Sequence, residues 1–209
     1  MVPKKKLKNP KKRKKQPYKR KTHLKLFEYT ITYEPLESDL LKQLPVQTHK
    51  RFYELHALIT TQPKQVIAEL SELIKEYPDI PQFYNFLAAA YTQIKDIENK
   101  EAIILACYEQ FPDYLFGRLN YAELCLDRGE LEKIPEIFEH NFDLKLLYPQ
   151  RSEFHISEFV NFTGFVALYH LRRGKWESAI PLYNILEQLA PEHQITKKIE
   201  DILALLNDL

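Results

Sequence analysis

Residues 161–193 read "NFTGFVALYHLRRGKWESAIPLYNILEQLAPEH". Apolar residues recur at helical spacing as far as Leu171, Gly174 interrupts them, a second periodic run covers Trp176 to Leu189, and Pro191 closes it. Glycine offers a left-handed turn that side chains disfavour, and proline cannot continue a helix. The stretch is therefore helix, turn, helix, stop. Gly174 and Pro191 lie 17 residues apart, as do Lys95 and Pro112. Pro78 in "IKEYPDIPQFY" and Pro112 in "YEQFPDYLFGR" are 34 apart, and so are Tyr91 and Cys125. A period in this range, carried by helix pairs, predicts units that share one core by stacking.

These residues resemble the tetratricopeptide repeat, a 34-residue helix–turn–helix with small, large and proline residues at fixed places. In the last unit the pattern falls on Ala167, Gly174, Trp176, Ala179, Tyr183 and Pro191. The second unit carries Tyr84, Leu87, Ala88, Tyr91, Ile104, Cys107 and Pro112, and the third Tyr121, Ala122, Gly129, Leu131 and Phe138. The first unit is degenerate, with Val66 and Leu70 in its second helix. Lys100 stands where a small residue is usual, His170 where an aromatic is usual, and the closing proline of the third unit is displaced. The resemblance implies an all-α, right-handed solenoid of about four repeats over residues 47–209. Its units are 47–80, 81–114, 115–159 and 160–193, with a capping helix at 194–209. The cap shows apolar residues at Ile195, Ile199, Ile202 and Leu206, as one amphipathic helix requires. Trp176 is expected to be largely buried.

Two stretches fall outside the period. Gly129 and Gly174 are 45 apart, so 11 residues are inserted within "FDLKLLYPQRSEFHISEF". Ser152 is a good N-cap there, so the next helix is expected to begin about two turns early. It either lengthens a helix pair that buries Phe154, Phe159 and Phe162, or forms a wall beside a groove. Residues 26–46 alternate at Phe27, Tyr29, Ile31 and Tyr33, which predicts a short extended segment. Such a strand either lies along the helical array or waits for a partner.

Charge divides the 209-residue chain sharply. Residues 1–25 hold 13 Lys or Arg and no acid, whereas the remainder has 17 basic and 29 acidic side chains, a net −12. The arm cannot fold alone, because its charges repel and it has little apolar surface to bury, so residues 1–25 are expected to be disordered. Lys4, Lys5, Lys6, Lys11, Lys12, Arg13, Lys14, Lys15, Lys19, Arg20 and Lys21 are its candidate polyanion contacts. The arm meets nucleic acid non-specifically, or an acidic protein surface including its own body, or it is a solvated tail. "KKRKK" would also resemble a nuclear-import signal in a eukaryotic cell.

No apolar run of signal-peptide length follows the arm, no window approaches ~20 apolar residues, and Val2 with no arm cysteine leaves no lipidation motif. No membrane insertion is expected. Cys107 and Cys125 have no metal or redox spacing, which fits a reducing cytoplasm. Gly117, Gly129, Gly164 and Gly174 are isolated, so no phosphate loop exists, and no hydrolase or metalloprotease motif occurs. His155 and His170, 15 residues apart on one helix, would lie ~22 Å from each other and cannot share a metal. No catalytic residue, cofactor or metal is expected.

In the repeat family, first-helix residues line a concave groove. The resemblance places Arg51 there from the first unit, Gln82, Asn85, Thr92 and Gln93 from the second, Glu123 and Asp127 from the third, and Asn161 and Arg172 from the fourth. The apolar positions Leu55, Ile59, Phe116, Leu119, Leu126, Gly164 and Leu168 accompany them. The Lys–Asn clamp for C-terminal carboxylates is missing, since Arg51 is followed by Leu55 and Asn85 by Ala89. The expected partner is a protein or peptide segment, as for a non-catalytic adaptor or scaffold. The alternative is a nucleic-acid- or ribosome-associated protein gripping RNA or DNA through its arm.

Overall fold

The computed structural model describes residues 23–26 and 29–207, with side chains from 29 to 205. The arm candidates Lys4 to Lys21 lie outside the described residues. Most of the chain is helical: α1 (Asp39–Lys42), α2 (Val46–Leu58), α3 (Pro63–Glu76), α4 (Pro81–Ile94), α5 (Ile97–Gln110), α6 (Leu115–Asp127), α7 (Ile134–Ile137), α8 (Leu144–Leu147), α9 (Ile156–Arg172), α10 (Trp176–Leu189) and α11 (Gln194–Asn207). Among the described residues three strands accompany them: β1 (His23–Leu26), β2 (Tyr29–Thr32) and β3 (Glu153–His155).

The helix stops follow the proline reading. The helices α3, α5 and α10 each end two residues before a proline, at Pro78, Pro112 and Pro191. Pro63 and Pro81 open α3 and α4, where a missing N–H costs nothing. The turns repeat too. Asp96 N–H donates to Tyr91 O at 3.1 Å, Glu130 to Cys125 at 2.8 Å and Lys175 to His170 at 2.9 Å. Each closes its helix around one left-handed residue: Lys95 (φ 59°), Gly129 (φ 75°) and Gly174 (φ 68°). Helix α4 packs on both α3 and α5, α6 on α5 and α9, and α9 on α10 and α11.

The third unit departs from the reading. Where a full second helix would run, only α7 and α8 form. Glu139 and His140, consecutive at φ 51° and 61°, end α7. A left-handed side chain costs energy, so something must hold it. Arg118 does so: its side chain is almost wholly buried, with Nε donating to Pro112 O and Nη2 to Glu139 at 2.5 Å.

The insertion and the N-terminal extension complete one another. Strand β2 pairs antiparallel with β1 and parallel with β3, with Ile31 opposite Phe154 and Thr32 opposite His155. The extended segment is thus neither alone nor waiting. Ser152 is not a helix cap; its carbonyl accepts from Thr30 N–H at 2.9 Å as the chain enters β3. His155 caps α9 instead: its Nδ1 accepts from Ser157 N–H, and Glu158 reaches back to His155 N–H. Of the two accounts of the insertion, Phe154 and Phe162 fit the burial account, being fully buried, and Phe159 nearly so.

Gly164 of α9 lies under α11, where an added Cβ would sit 2.6 Å from Ile195 side-chain atoms. Gly164→Ala should therefore destabilise by about 1–2 kcal/mol, the overpacking cost less the helix-propensity gain. Denaturant midpoints check this, and Ile195→Ala in the same chain should restore part of the loss. An unchanged midpoint would mean that α11 does not dock closely on α9.

Candidate partner groove

Side chains of α4, α6 and α9 line two cavities that share Glu123. One, of about 260 Å³, is lined by Asn85, Ala89, Thr92 and Gln93 of α4, Lys100 and Ile104 of α5, and Asn120 and Glu123 of α6. The next, of about 220 Å³, is lined by Glu123, Leu126 and Asp127 of α6, Asn161 and Leu168 of α9, and Gln194 and Lys198 of α11. Six of the residues expected in a groove are thereby brought together: Asn85, Thr92, Gln93, Glu123, Asp127 and Asn161.

Their hydrogen bonds fix the walls. Asn120 Nδ2 donates to Asn85 Oδ1 at 2.8 Å and ties α6 to α4. Thr92 Oγ1 donates to Ala88 O at 2.9 Å and Asn161 Nδ2 to Ser157 O at 2.8 Å, so both are turned back onto their own helices. Glu123 reaches solvent along the open face, yet protein crowds it. Desolvation pushes its carboxyl pKa up, opposed by Lys198 and reinforced by Asp127. A carboxylate held this way gains from a cationic or N–H-bearing ligand that replaces the lost water.

Beyond these lies a larger cavity of about 640 Å³, at the N-terminal ends of α4, α6 and α9. Gln82, the seventh expected residue, belongs here. Its Nε2 donates to Ser38 Oγ at 3.4 Å, while its Oε1 is buried without a partner. Aromatic rings form the lining: Phe52 stacks on Phe86 (centroids 4.7 Å apart, planes at 4°), His56 stacks on Phe86 at 4.6 Å, and Tyr53, Tyr114 and Phe116 stand around them. Pro35 to Ser38, the segment leaving β2, closes one side; Arg151, Glu153, His155 and Glu158 close another. Arg151 forks onto both oxygens of Glu158 (2.9 and 2.7 Å) and lies 4.3 Å above the Phe154 ring. Glu37 accepts from Tyr53 Oη and lies 3.3 Å from His49 Nε2; these contacts hold its carboxyl below the usual range.

Two expected residues stand elsewhere. Arg51 is engaged by Glu69 (2.8 and 2.7 Å) and Glu54 (2.8 Å), stapling α2 to α3. Arg172 is exposed at the end of α9 and lines none of these cavities. Leu55, Ile59, Leu119, Leu126, Gly164 and Leu168 are buried, so these positions serve packing more than contact. Trp176 departs from the burial expected of it: it is 50% exposed and, with Ile180, Tyr183 and Leu203, borders a shallow cleft between α10 and α11.

Asn120 and the aromatic cavity were missed. The signal for the latter was present, since Phe52 and Phe86 are themselves one 34-residue period apart. Cys107 and Cys125 are both buried, and burial pushes the Cys107 thiol up to about 12. Among the described residues no three His, Cys, Asp or Glu converge as a metal site, and no helix is long and apolar enough to cross a membrane. No family model, curated protein or solved structure matches the chain.

Proposed function

We propose that this chain is a non-catalytic adaptor of tetratricopeptide-repeat kind, a right-handed solenoid of about four helix pairs in the cytoplasm. It binds an extended segment of a protein partner along the face made by α4, α6 and α9. The observation that carries this reading is that Glu123 is shared by two neighbouring cavities, one walled by α4, α5 and α6 and the other by α6, α9 and α11. A surface that mixes amides and carboxylates with Lys100, Lys198 and apolar side chains suits the main-chain N–H groups and a few side chains of a peptide. The irregular third unit does not interrupt it, because α6 and α9 pack directly on each other.

The test is affinity capture from the native host with the full chain, a chain lacking residues 1–25, and the full chain carrying Glu123→Lys and Asn85→Leu. One protein retained by the first two and reduced at least tenfold by the groove variant supports the adaptor. Equal capture by the groove variant would sink it. Recovery of RNA or ribosomes only when the arm is present favours the second reading, a nucleic-acid-associated protein gripping phosphates through residues 1–25. The charge division between arm and body motivates that reading.

A further inference from the structure

The sheet places the root of the basic arm at the mouth of the aromatic cavity. His23 pairs with Thr32, and Thr32 pairs with His155, so the three form one row across β1, β2 and β3. Beyond that row β2 runs into Pro35–Ser38 and β3 into Ser157 and Glu158, all of which line the cavity. The arm enters β1 at the same end, because β1 and β2 are antiparallel. Two strand spacings, roughly 10 Å, separate His23 from His155.

The lining fits what the arm carries. Of the acids in its wall, Glu158 is bound by the Arg151 guanidinium, whereas Glu37 is held by the Tyr53 hydroxyl and the His49 imidazole. Beside the stacked Phe52, Phe86 and His56 rings, exposed Tyr53 and half-buried Phe116 offer flat aromatic surfaces to cations, proline or tyrosine. The buried Gln82 Oε1 lacks a donor, and an unpaired buried acceptor is costly. The last arm residues, "KQPYKRK" at 15–21, supply ammonium and guanidinium groups, a tyrosine, a proline and backbone N–H groups.

We infer that this cavity is the docking site of the chain's own basic arm, occupied in cis by the residues just before β1. Tethering decides the occupant. A segment attached at the mouth has an effective concentration in the millimolar range, which no free basic peptide in a cell matches. Polyanions that claim the arm would then uncover the aromatic cavity. The inference goes beyond the adaptor reading and does not use the Glu123 channel.

Two measurements on the full chain test it. The first is zero-length carbodiimide coupling at low salt, with links located by mass spectrometry. Arm lysines should couple to Glu37 roughly tenfold more than to the exposed Glu132 and Glu136, within single molecules. The second is modification of exposed His56 in the cavity relative to His140, whose side chain is 69% exposed. His56 should react severalfold more slowly at 50 mM salt and recover its rate at 1 M salt or on adding inorganic polyphosphate, as screening or competition releases the arm. Equal His56 reactivity at low and high salt overturns the inference even if links form, since tethering alone brings Lys21 near Glu37. Links concentrated on Glu123, Asp127 or Glu136, or formed between molecules, overturn it too. Failure of groove variants in the capture experiment leaves both measurements unchanged, so the two readings fail separately.

Discussion

Phe154→Ala should lower the unfolding free energy by about 3–5 kcal/mol, the largest stability loss expected from a single substitution outside the regular helix pairs. Phe154 is the centre of the three-residue strand β3 and has no exposed surface. Its ring meets Tyr29 edge-on at 5.2 Å and Tyr148 at 6.3 Å, with the Arg151 guanidinium above it. Its backbone lies opposite Ile31, also fully buried. Truncation would open a cavity where hairpin, insertion and α9 meet, and a three-residue strand has little else to hold it. Phe154→Leu should recover much of the loss by keeping apolar volume. Chemical denaturation followed by circular dichroism measures both. A loss below 1 kcal/mol would show that the hairpin and insertion do not pack on the helices.

Duplex DNA binding by the full chain should weaken about 10³-fold between 50 and 200 mM salt. Thirteen basic residues cannot all reach phosphates together; if about six do, log affinity falls with log salt at a slope of roughly −5. The dissociation constant near physiological salt should lie around 10⁻⁴ to 10⁻⁶ M, without sequence preference. The acidic body repels phosphates and competes for the arm, so a peptide of residues 1–25 should bind at least as tightly as the whole chain. Titrations of peptide and protein against unrelated DNA and RNA sequences decide this. Markedly tighter or sequence-selective binding by the full chain would assign recognition to the body and displace the adaptor reading.

Legibility followed the locality of the forces. Helix ends at Pro78, Pro112 and Pro191 and turns at Gly129 and Gly174 were readable because each depends on one residue's backbone. Asn85, Thr92 and Glu123, expected on one face, line neighbouring cavities because helical spacing is regular there. Arg51, expected on the same face, instead finds Glu69 across a helix pair. Trp176 was misjudged because its burial depends on how α11 packs beside α10, where a cleft leaves it half exposed, and no local pattern encodes that packing.

The sequence by itself determined a helical chain with a 34-residue period, a basic arm on an acidic body, and the absence of familiar catalytic motifs, since composition and spacing need no partner. Only the tertiary structure decided that the third unit loses its second helix and that β2 pairs with β3. The strands Tyr29–Thr32 and Glu153–His155 stand more than a hundred residues apart, and strand pairing satisfies backbone N–H and C=O groups with no side-chain signature of which edge they will meet. That pairing sets Pro35–Ser38 against the N-terminal ends of α4, α6 and α9, and so makes the aromatic cavity out of segments that share no pattern in the chain.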